Sequence, residues 1–432
     1  MSDARYLAVK LLCKTFSGGS FSNIQLNSGL KNSDLDDRDR KLCSAIYYGV
    51  IERKIYLDYI IGKFSSRPVE KLDNTVLNIL RCGIYQILFM DNVPDSAAVN
   101  ECVSLSKKFG KTSASGMVNA VLRNFIRQGK NIELPDNRSE RLSIEYSAPP
   151  ELVKSLIDDY GESMAENLLS DALGSPPVTV RMNCLKCTET EFIESFGGKA
   201  VKNDVLPDCF ELSGDVTATE AFRKGFFHVQ DLASQLCCAA LAPTENDLVL
   251  DICAAPGGKT FTMAEIMNGK GKIMAFDLHE KRVKLIRDGA ERLGLSNIQA
   301  TAGNATVFNP DLPEFTKILC DVPCSGLGAV RRKPEIKYKD FGDFSGLPDV
   351  QYRIAENALK YLAVGGEMVY STCTLRKAEN IQIVEKLLAD HPEIEPVRLP
   401  EPLGEKFGSY ADIFPCHFGS DGFFISKFRK VR

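Results

Sequence analysis

The stretch LVLDICAAPGGKT, residues 248–260, decides the fold. Its first six residues are apolar except for Asp251, a length and character that fit a buried strand. Two glycines follow, and TFTMAEIM then continues at helical spacing. The same alternation recurs downstream. GKIMAFDL reads as a second strand before the helix EKRVKLIRDGAERLGL. NIQATAGN and KILCDVPC read as strands, DVQYRIAENALKYLA as a helix, GEMVYSTC as a strand and ENIQIVEKLLADH as a helix. HFGSDGFFISKFRKV reads as a terminal strand pair. Strands alternating with helices predict a doubly wound, mainly parallel α/β sheet over residues 226–432.

A sheet of this type binds ligands at the carboxyl ends of its strands. Gly257 and Gly258 allow a ligand to approach the backbone at the start of the next helix. The spacing is neither GxGxxG nor GxxxxGK[ST], which argues against a dinucleotide or a P-loop nucleotide. Asp277 ends the second strand, 19 residues after Gly258. An acid there can accept both ribose hydroxyls of a nucleoside, or can be a solvated strand-end acid. Loop and acid together point to an adenosine-containing ligand with little demand for phosphate recognition, and S-adenosyl-L-methionine fits. Asn304, ending the third strand, is placed to meet an adenine edge, and Asp251 to meet the amino-acid end.

Upstream the character changes. Residues 1–130 read as all helix, from apolar periodicity in RKLCSAIYYGVIERKIYLDYII, LDNTVLNILRCGIYQILFM, SAAVNECVSLSKKFG and GMVNAVLRNFIRQ. Ser17 to Ser20 is a turn signal, and Pro94-Asp95-Ser96 a helix start. The polar, proline-bearing run 131–150 reads as a linker. Residues 145–225 mix helical patterns (ELVKSLIDDY, GESMAENLLSDAL) with short strands such as VTVRMN, so a small α/β subdomain is expected there.

Composition narrows the class. The chain has 432 residues, 44% hydrophobic and 25% charged, ordinary for a soluble globular protein. No apolar run reaches the roughly 20 residues that span a bilayer, and MSDARYLAVKLLCKTF is too charged for a signal peptide. A cytoplasmic protein with no membrane partner is expected, and a monomer by default. Residues 1–140 carry 20 Lys and Arg against 15 Asp and Glu, and the remainder 33 against 42. That asymmetry fits either an RNA-docking module or a chance surface bias. Fourteen cysteines are scattered, and Cys184-Leu-Lys-Cys187 lacks a second pair to complete a zinc site, so no metal is expected.

Two cysteines stand out by position: Cys324 in DVPCSG and Cys373 in STCT, both at strand ends on the ligand-binding edge. A lone cysteine is most often a buried hydrophobe. Two beside a cofactor cleft suit attack on an electrophilic ring carbon, with Asp321 and Lys259 near enough to tune protonation. A thiol-redox enzyme would also use two cysteines, but these do not form a CxxC.

DICAAPGGKT, DVPCSGLG, RRKPEIKYK and YSTCTLRKAEN resemble the RNA cytosine-C5 methyltransferases, as do FFHVQDLASQL and RMNCLK. The helical N-terminus, with GMVNAVLRNFIR, resembles the NusB-type RNA-binding domain. The combination is similar to the bacterial RsmB (Sun/Fmu) subfamily, which acts on 16S ribosomal RNA. The resemblance implies three parts: a NusB-like helical domain over 1–140, a small α/β RNA-binding subdomain over 145–225, and a Rossmann-like methyltransferase domain over 226–432. It implies that Cys373 attacks C6 of a cytosine, that Cys324 assists removal of the C5 hydrogen, and that Asp321 binds the base edge near N3 and N4. Lys259 would lie near the nucleophile or orient the cofactor. Cys253, Ala254, Ala255, Pro256, Gly257, Gly258, Lys259, Asp277, Asn304 and Asp321 would hold S-adenosyl-L-methionine. The glycines of PCSGLG would let a flipped base approach.

The substrate cytosine must be unpaired or flipped, because a duplex hides its C5 and C6 faces. Arg331, Arg332 and Lys333 would grip flanking phosphates, with Arg181 and Asn183 as further RNA contacts. Two positions depart from the family pattern. Asn304 stands where an acid is usual, and Tyr338 stands where tryptophan is common, keeping an aromatic surface for substrate. Transfer RNA as substrate, or a non-catalytic ribosome-assembly factor, are the competing expectations.

Overall fold

The computed structural model describes residues 3–18, 22–174 and 176–432. Gly19 and Ser20 of the expected Ser17–Ser20 turn lie outside the described residues. The chain forms two compact units, Met1–Leu173 with Arg332–Lys339, and Gly174–Arg331 with Asp340–Arg432.

The first unit is helical. Helix Asn74–Phe89 is buried without a break from Val76 to Ile84, the pattern of a helix at the centre of a core. Helices Ala4–Ser17, Asp37–Glu52, Lys54–Phe64, Asp95–Lys108 and Ser115–Arg127 all pack against it. Asp73 caps its start, accepting from the N–H groups of Thr75 and Val76. Its buried Arg81 makes a bidentate pair with Asp58 at 2.6 and 2.7 Å. The stretch 131–150 is more than a linker. It contains helix Arg138–Glu145, begun by Asn137 accepting from the Glu140 N–H, with Leu142 and Ile144 buried. Helices Pro150–Tyr160 and Glu162–Asp171 follow, separated at Gly161, whose φ of +79° suits glycine.

Residues 332–339 also belong to this unit. The turn Pro334–Tyr338 is fixed by three side chains. Glu335 accepts from the Ser22 N–H and hydroxyl at 2.9 and 2.7 Å, capping helix Ser22–Lys31. Lys337 Nζ donates to the Glu52 carbonyl at 2.7 Å, and the Tyr338 hydroxyl to the same oxygen at 3.2 Å. The Tyr338 ring packs against the helical core with Lys54 above it. Its aromatic surface is used in packing, which corrects the expectation of a substrate contact.

The second unit carries two sheets. The smaller joins β1 (Val178–Met182), β2 (Val201–Lys202), β3 (Cys209–Leu212) and β4 (Phe227–Val229), antiparallel, in the order β2-β3-β1-β4. The larger holds β5 (Leu248–Asp251), β6 (Lys272–Asp277), β7 (Ile298–Ala302), β8 (Phe315–Asp321), β9 (Leu362–Thr372), β10 (Ile394–Pro396), β11 (Tyr410–Ile413) and β12 (Phe423–Lys430). Its order is β10-β12-β9-β8-β5-β6-β7, with β11 paired to β12. Strands β5 to β9 run parallel, as the alternation predicts. The terminal stretch forms one long strand, β12, antiparallel to β9, β10 and β11, rather than a pair closed on itself. One face is covered by helix Leu232–Leu241 and its neighbours, the other by helices Leu347–Leu359 and Ile381–Asp390. The strand order reverses between β5 and β8, the switch point at which such sheets take ligands.

The stretch 145–225 is thus divided between the units. Its helices go with the helical unit, and its strands go with the sheet-bearing one.

Candidate active site

The loop after β5 is shaped by its glycines. Gly257 has φ +111°, and a Cβ there would lie 2.4 Å from the Phe261 ring. The Ala254 N–H donates to the Phe276 carbonyl at 2.7 Å, and Arg282 donates to the Ala255 carbonyl at 2.6 Å. Cys253 is half-buried, and burial pushes its thiol pKa up. Pro256 is exposed at the loop tip and Gly258 opens helix Gly258–Ile266.

Asp277 at the end of β6 is buried. It accepts from the Ala255 N–H at 3.3 Å and pairs with Arg282 at 2.9 Å. Beside the ends of β5, β6 and β7 lies a cleft of about 300 Å³, lined among others by Leu250, Ile252, Phe276, Asn304, Val307 and Tyr361. Asn304 stands exposed on its rim, its side-chain oxygen accepting from the Thr306 N–H and hydroxyl at 3.0 and 2.8 Å. With the amide oxygen engaged in that turn, the remaining polar group of Asn304 is a donor where an acid would carry a second acceptor.

At the end of β8, Asp321 is one-quarter exposed and ion-paired with Lys259 at 2.8 Å. Ser371, its partner across the β8–β9 ladder, donates to the other carboxylate oxygen at 2.8 Å. Burial works to lower the Lys259 pKa, but Asp321 together with the Cys237 and Cys238 sulfurs outweighs it and holds the ammonium above the ordinary lysine range. The Lys259 ammonium also sits 5.1 Å from the Phe423 ring centroid.

Just past these strands the two cysteines meet: the Cys324 and Cys373 sulfurs are 3.3 Å apart. The Cys324 thiol is held well above the ordinary range, first by its hydrogen bond to Cys373 and then by burial. Their loops are tied together by groups that the sequence reading passed over. Buried Glu379 accepts from the Ser325 N–H and the Gln351 amide, both at 2.9 Å, and pairs with Arg376 at 3.0 Å. The Ser325 and Thr374 hydroxyls bond at 2.7 Å. Glu379 lies in YSTCTLRKAEN, but a carboxylate six residues past the cysteine has no spacing rule to reveal it. The glycines of PCSGLG have a local cause. Gly326 has φ +76°, and a Cβ on Gly328 would lie 1.9 Å from the Gly422 carbonyl oxygen. The backbone needs them there, which corrects the expectation that they make room for a base.

The expected RNA contacts fare differently. Arg181 is buried and paired with Glu265 at 2.9 Å and Asp208 at 3.1 Å. Asn183 is fully buried, donating to the carbonyls of Gly225 and Leu293. Both side chains fasten the small sheet to the rest of their unit and are withdrawn from RNA, which corrects that expectation. Arg331 is half-buried in the sheet-bearing unit, whereas Arg332 and Lys333 are half-buried in the helical one. They do not form one exposed basic run.

The loop fits the amino-acid end of S-adenosylmethionine. Two buried polar atoms beside it lack a hydrogen-bond partner: Asp251 Oδ1, an acceptor, and Gln230 Nε2, a donor. Asp251 is engaged only through Oδ2, by the Thr260 hydroxyl at 2.7 Å, and burial lifts its carboxyl pKa to about 7. Gln230 is aimed by Thr262 on its oxygen at 2.5 Å, and it lies near the side of Gly258 that a Cβ would occupy. An unpaired acceptor and an unpaired donor match an ammonium and a carboxylate. Among the described residues no group of three or more His, Cys, Asp or Glu could hold a metal ion, and no helix is long and apolar enough to cross a membrane.

A parallel sheet with this loop and this strand-end chemistry defines a methyltransferase of the S-adenosylmethionine-dependent class. Residues 238–429 match the family described as 16S rRNA methyltransferase RsmB/F, and residues 2–127 match the NusB family. The chain is 35% identical to the probable ribosomal RNA small subunit methyltransferase B of Bacillus subtilis, over 99% of both chains. It is 33% identical to the protein of the same name in Synechocystis, over the full length of both. The chain belongs to the family of small-subunit rRNA methyltransferases B. Among solved structures, PH0851 matches with a TM-score of 0.83 at 23% identity, covering 100% of this chain and 99% of that one. NSun6 from Pyrococcus horikoshii, solved with SFG, matches at 0.60 and 22% identity over 66% of this chain and 98% of that one. These two likenesses bear on the fold alone.

Proposed function

We propose that the protein methylates C5 of a cytosine in 16S ribosomal RNA through a covalent bond between Cys373 and C6. The observation that carries this reading is the pair of sulfurs 3.3 Å apart beside the Lys259–Asp321 ion pair. Cytosine C5 is too poor a nucleophile to take a methyl group unaided. Addition of a thiolate to C6 moves electron density onto C5 and removes that barrier. S-adenosylmethionine, when bound, supplies the electrophilic methyl group.

The proton distribution supports the division of labour. The Cys324 thiol is held well above the ordinary range by its hydrogen bond to Cys373 and by burial, which suits Cys324 to the later proton removal and leaves addition to Cys373. Once Cys373 is bonded to carbon, Cys324 loses its strongest reason to stay protonated. Its proton leaves to solvent, and the thiolate takes the hydrogen from methylated C5. The C5 electrons then re-form the ring double bond and expel Cys373. Asp321 holds the amino edge of the base, and Lys259, ion-paired with it at 2.8 Å, fixes its position. Asp251, Gln230, the loop 253–259, Asp277 and Asn304 hold the cofactor.

The RNA is reached as an unpaired or flipped base, with Arg331 closest in sequence to the catalytic loop for phosphate contact. The test is methyl transfer from labelled S-adenosylmethionine to unmodified 16S rRNA. Nuclease digestion should yield 5-methylcytosine, and a product labelled at any other atom would overturn the reading.

A further inference from the structure

Each cysteine of the site is clamped through both of its chain neighbours. Beside Cys324, the Gln351 amide donates to the Pro323 carbonyl and the Ser325 N–H donates to Glu379, both at 2.9 Å. Beside Cys373, the Thr372 hydroxyl donates to Asn380 at 2.5 Å, and the Asn380 amide donates to the Thr374 carbonyl at 3.0 Å. Two ties join the segments to each other. The Val322 N–H donates to the Ser371 carbonyl at 3.1 Å, and the Ser325 and Thr374 hydroxyls meet at 2.7 Å. One tie precedes the cysteines and the other follows them, so the two backbones are held together on both sides of the sulfurs. Those sulfurs stand 3.3 Å apart, and both residues are half-exposed. Cys320, four residues before Cys324, is fully buried.

We propose that Cys324 and Cys373 form a peroxide-sensitive dithiol, which oxidation joins in an intramolecular disulfide that switches methyl transfer off until a thiol reductant reopens it. The sulfurs of a disulfide sit about 2.05 Å apart, so closure needs an approach of about 1.2 Å, within reach of rotation about the side-chain bonds. The clamps keep the partners together, which favours this bond over oxidation by a second molecule. Hydrogen peroxide first converts one thiol to a sulfenic acid. The O–O bond breaks, one oxygen stays on sulfur and the other leaves as water. The second sulfur then attacks the first, the S–S bond forms, and the S–O bond breaks to release a second water. Two thiols and one peroxide thus give one disulfide and two waters. Whichever sulfur is oxidised first, the other is in place to close the bond. The bond itself rests on geometry. Its effect on activity rests on the reading of Cys373 as the nucleophile, since a sulfur bonded to sulfur cannot add to C6.

The experiment treats the reduced full chain with hydrogen peroxide, caps the remaining thiols, digests the protein and sequences the cross-linked peptides by mass spectrometry. A Cys324–Cys373 cross-link should appear, with methylation of 16S rRNA lost in step with its yield. Dithiothreitol should remove the cross-link and restore the activity together. Cys184→Ser with Cys416→Ser removes two exposed thiols outside the site and should leave both the cross-link and the loss unchanged. Cys324→Ala should give no cross-link to Cys373. Peroxide that leaves both thiols free to be capped, or that carries either one to a sulfinic acid without a cross-link, overturns the proposal. A complete cross-link with undiminished methylation would instead overturn the nucleophile reading beneath the switch.

Discussion

Two ion pairs of the sheet-bearing unit invite comparison. Lys259 with Asp321 and Arg181 with Glu265 are each a basic side chain against a carboxylate at under 3 Å. Both arise in stretches whose sequence reads as functional. Arg181 pairs with Glu265, which is fully covered and lies 3.4 Å from His228, and with Asp208 at the edge of the same network. Asp321 is one-quarter exposed, and at the same strand ends stand two half-exposed cysteines. Charge and close pairing are shared by the two sites. What separates them is whether the paired group keeps a face toward a cleft. A network closed inside its unit fastens the fold, whereas one open to a cleft is a candidate for chemistry.

The comparison can be broken by mutation. The largest effect is expected at the open pair. Asp321→Asn should lower the methylation rate by about a hundredfold or more, as loss of a preorganised polar contact does, with little change in melting temperature. Arg181→Met should do the reverse. Leaving Glu265 charged and uncompensated costs about 3–5 kcal/mol of stability, and activity per folded molecule should hold. Adding Glu265→Leu should recover part of that loss. If Arg181→Met folded normally but bound RNA weakly, the network would be a substrate site after all.

Lys337 in the helical unit sharpens the comparison from a third side. It is a buried cation hydrogen-bonded to carbonyl groups, with its pKa pushed down to about 7. The folded value lies below the unfolded one near 10.4. Between those values the unfolded chain binds more protons, so stability rises with pH from about 7 to 10. The slope from this one group is at most about 1.4 kcal/mol per pH unit. Lys337→Met should flatten that rise in denaturant titrations across the range. An unchanged slope would mean that the ammonium stays charged in place.

The sequence made the sheet legible because its signals are local. Apolar runs, glycine punctuation and helical periodicity predict β5 to β9 in order, and the loop glycines mark the cofactor end. Cys324, Cys373 and Asp321 were legible as candidates because they sit at or just past strand ends, which a parallel sheet gathers, and Lys259 because it opens the helix after the glycine loop. Burial was not legible. RMNCLK and RRKPEIKYK look like basic surface motifs, yet Arg181, Asn183 and Lys337 are interior. Their partners, Glu265, Gly225, Leu293 and Glu52, lie 42 to 285 residues away in the chain. Helix Arg138–Glu145 was missed for the opposite reason. Its cap, Asn137 before Glu140, is present in the sequence, but the surrounding proline and polar residues outweighed it. Ser371 lies two residues before Cys373 in the quoted motif, and only the strand register shows that it meets Asp321.

The central claim is that the two sulfurs divide addition and release between them. The direct measurement mixes each cysteine variant with 16S rRNA and S-adenosylmethionine, denatures the sample, and looks for protein that migrates with RNA. Cys324→Ala should accumulate a denaturant-resistant complex, because Cys373 can add but cannot be expelled. Cys373→Ala should give neither complex nor product. A complex that forms with Cys373→Ala and not with Cys324→Ala would reverse the roles, and normal turnover by both variants would contradict the covalent route.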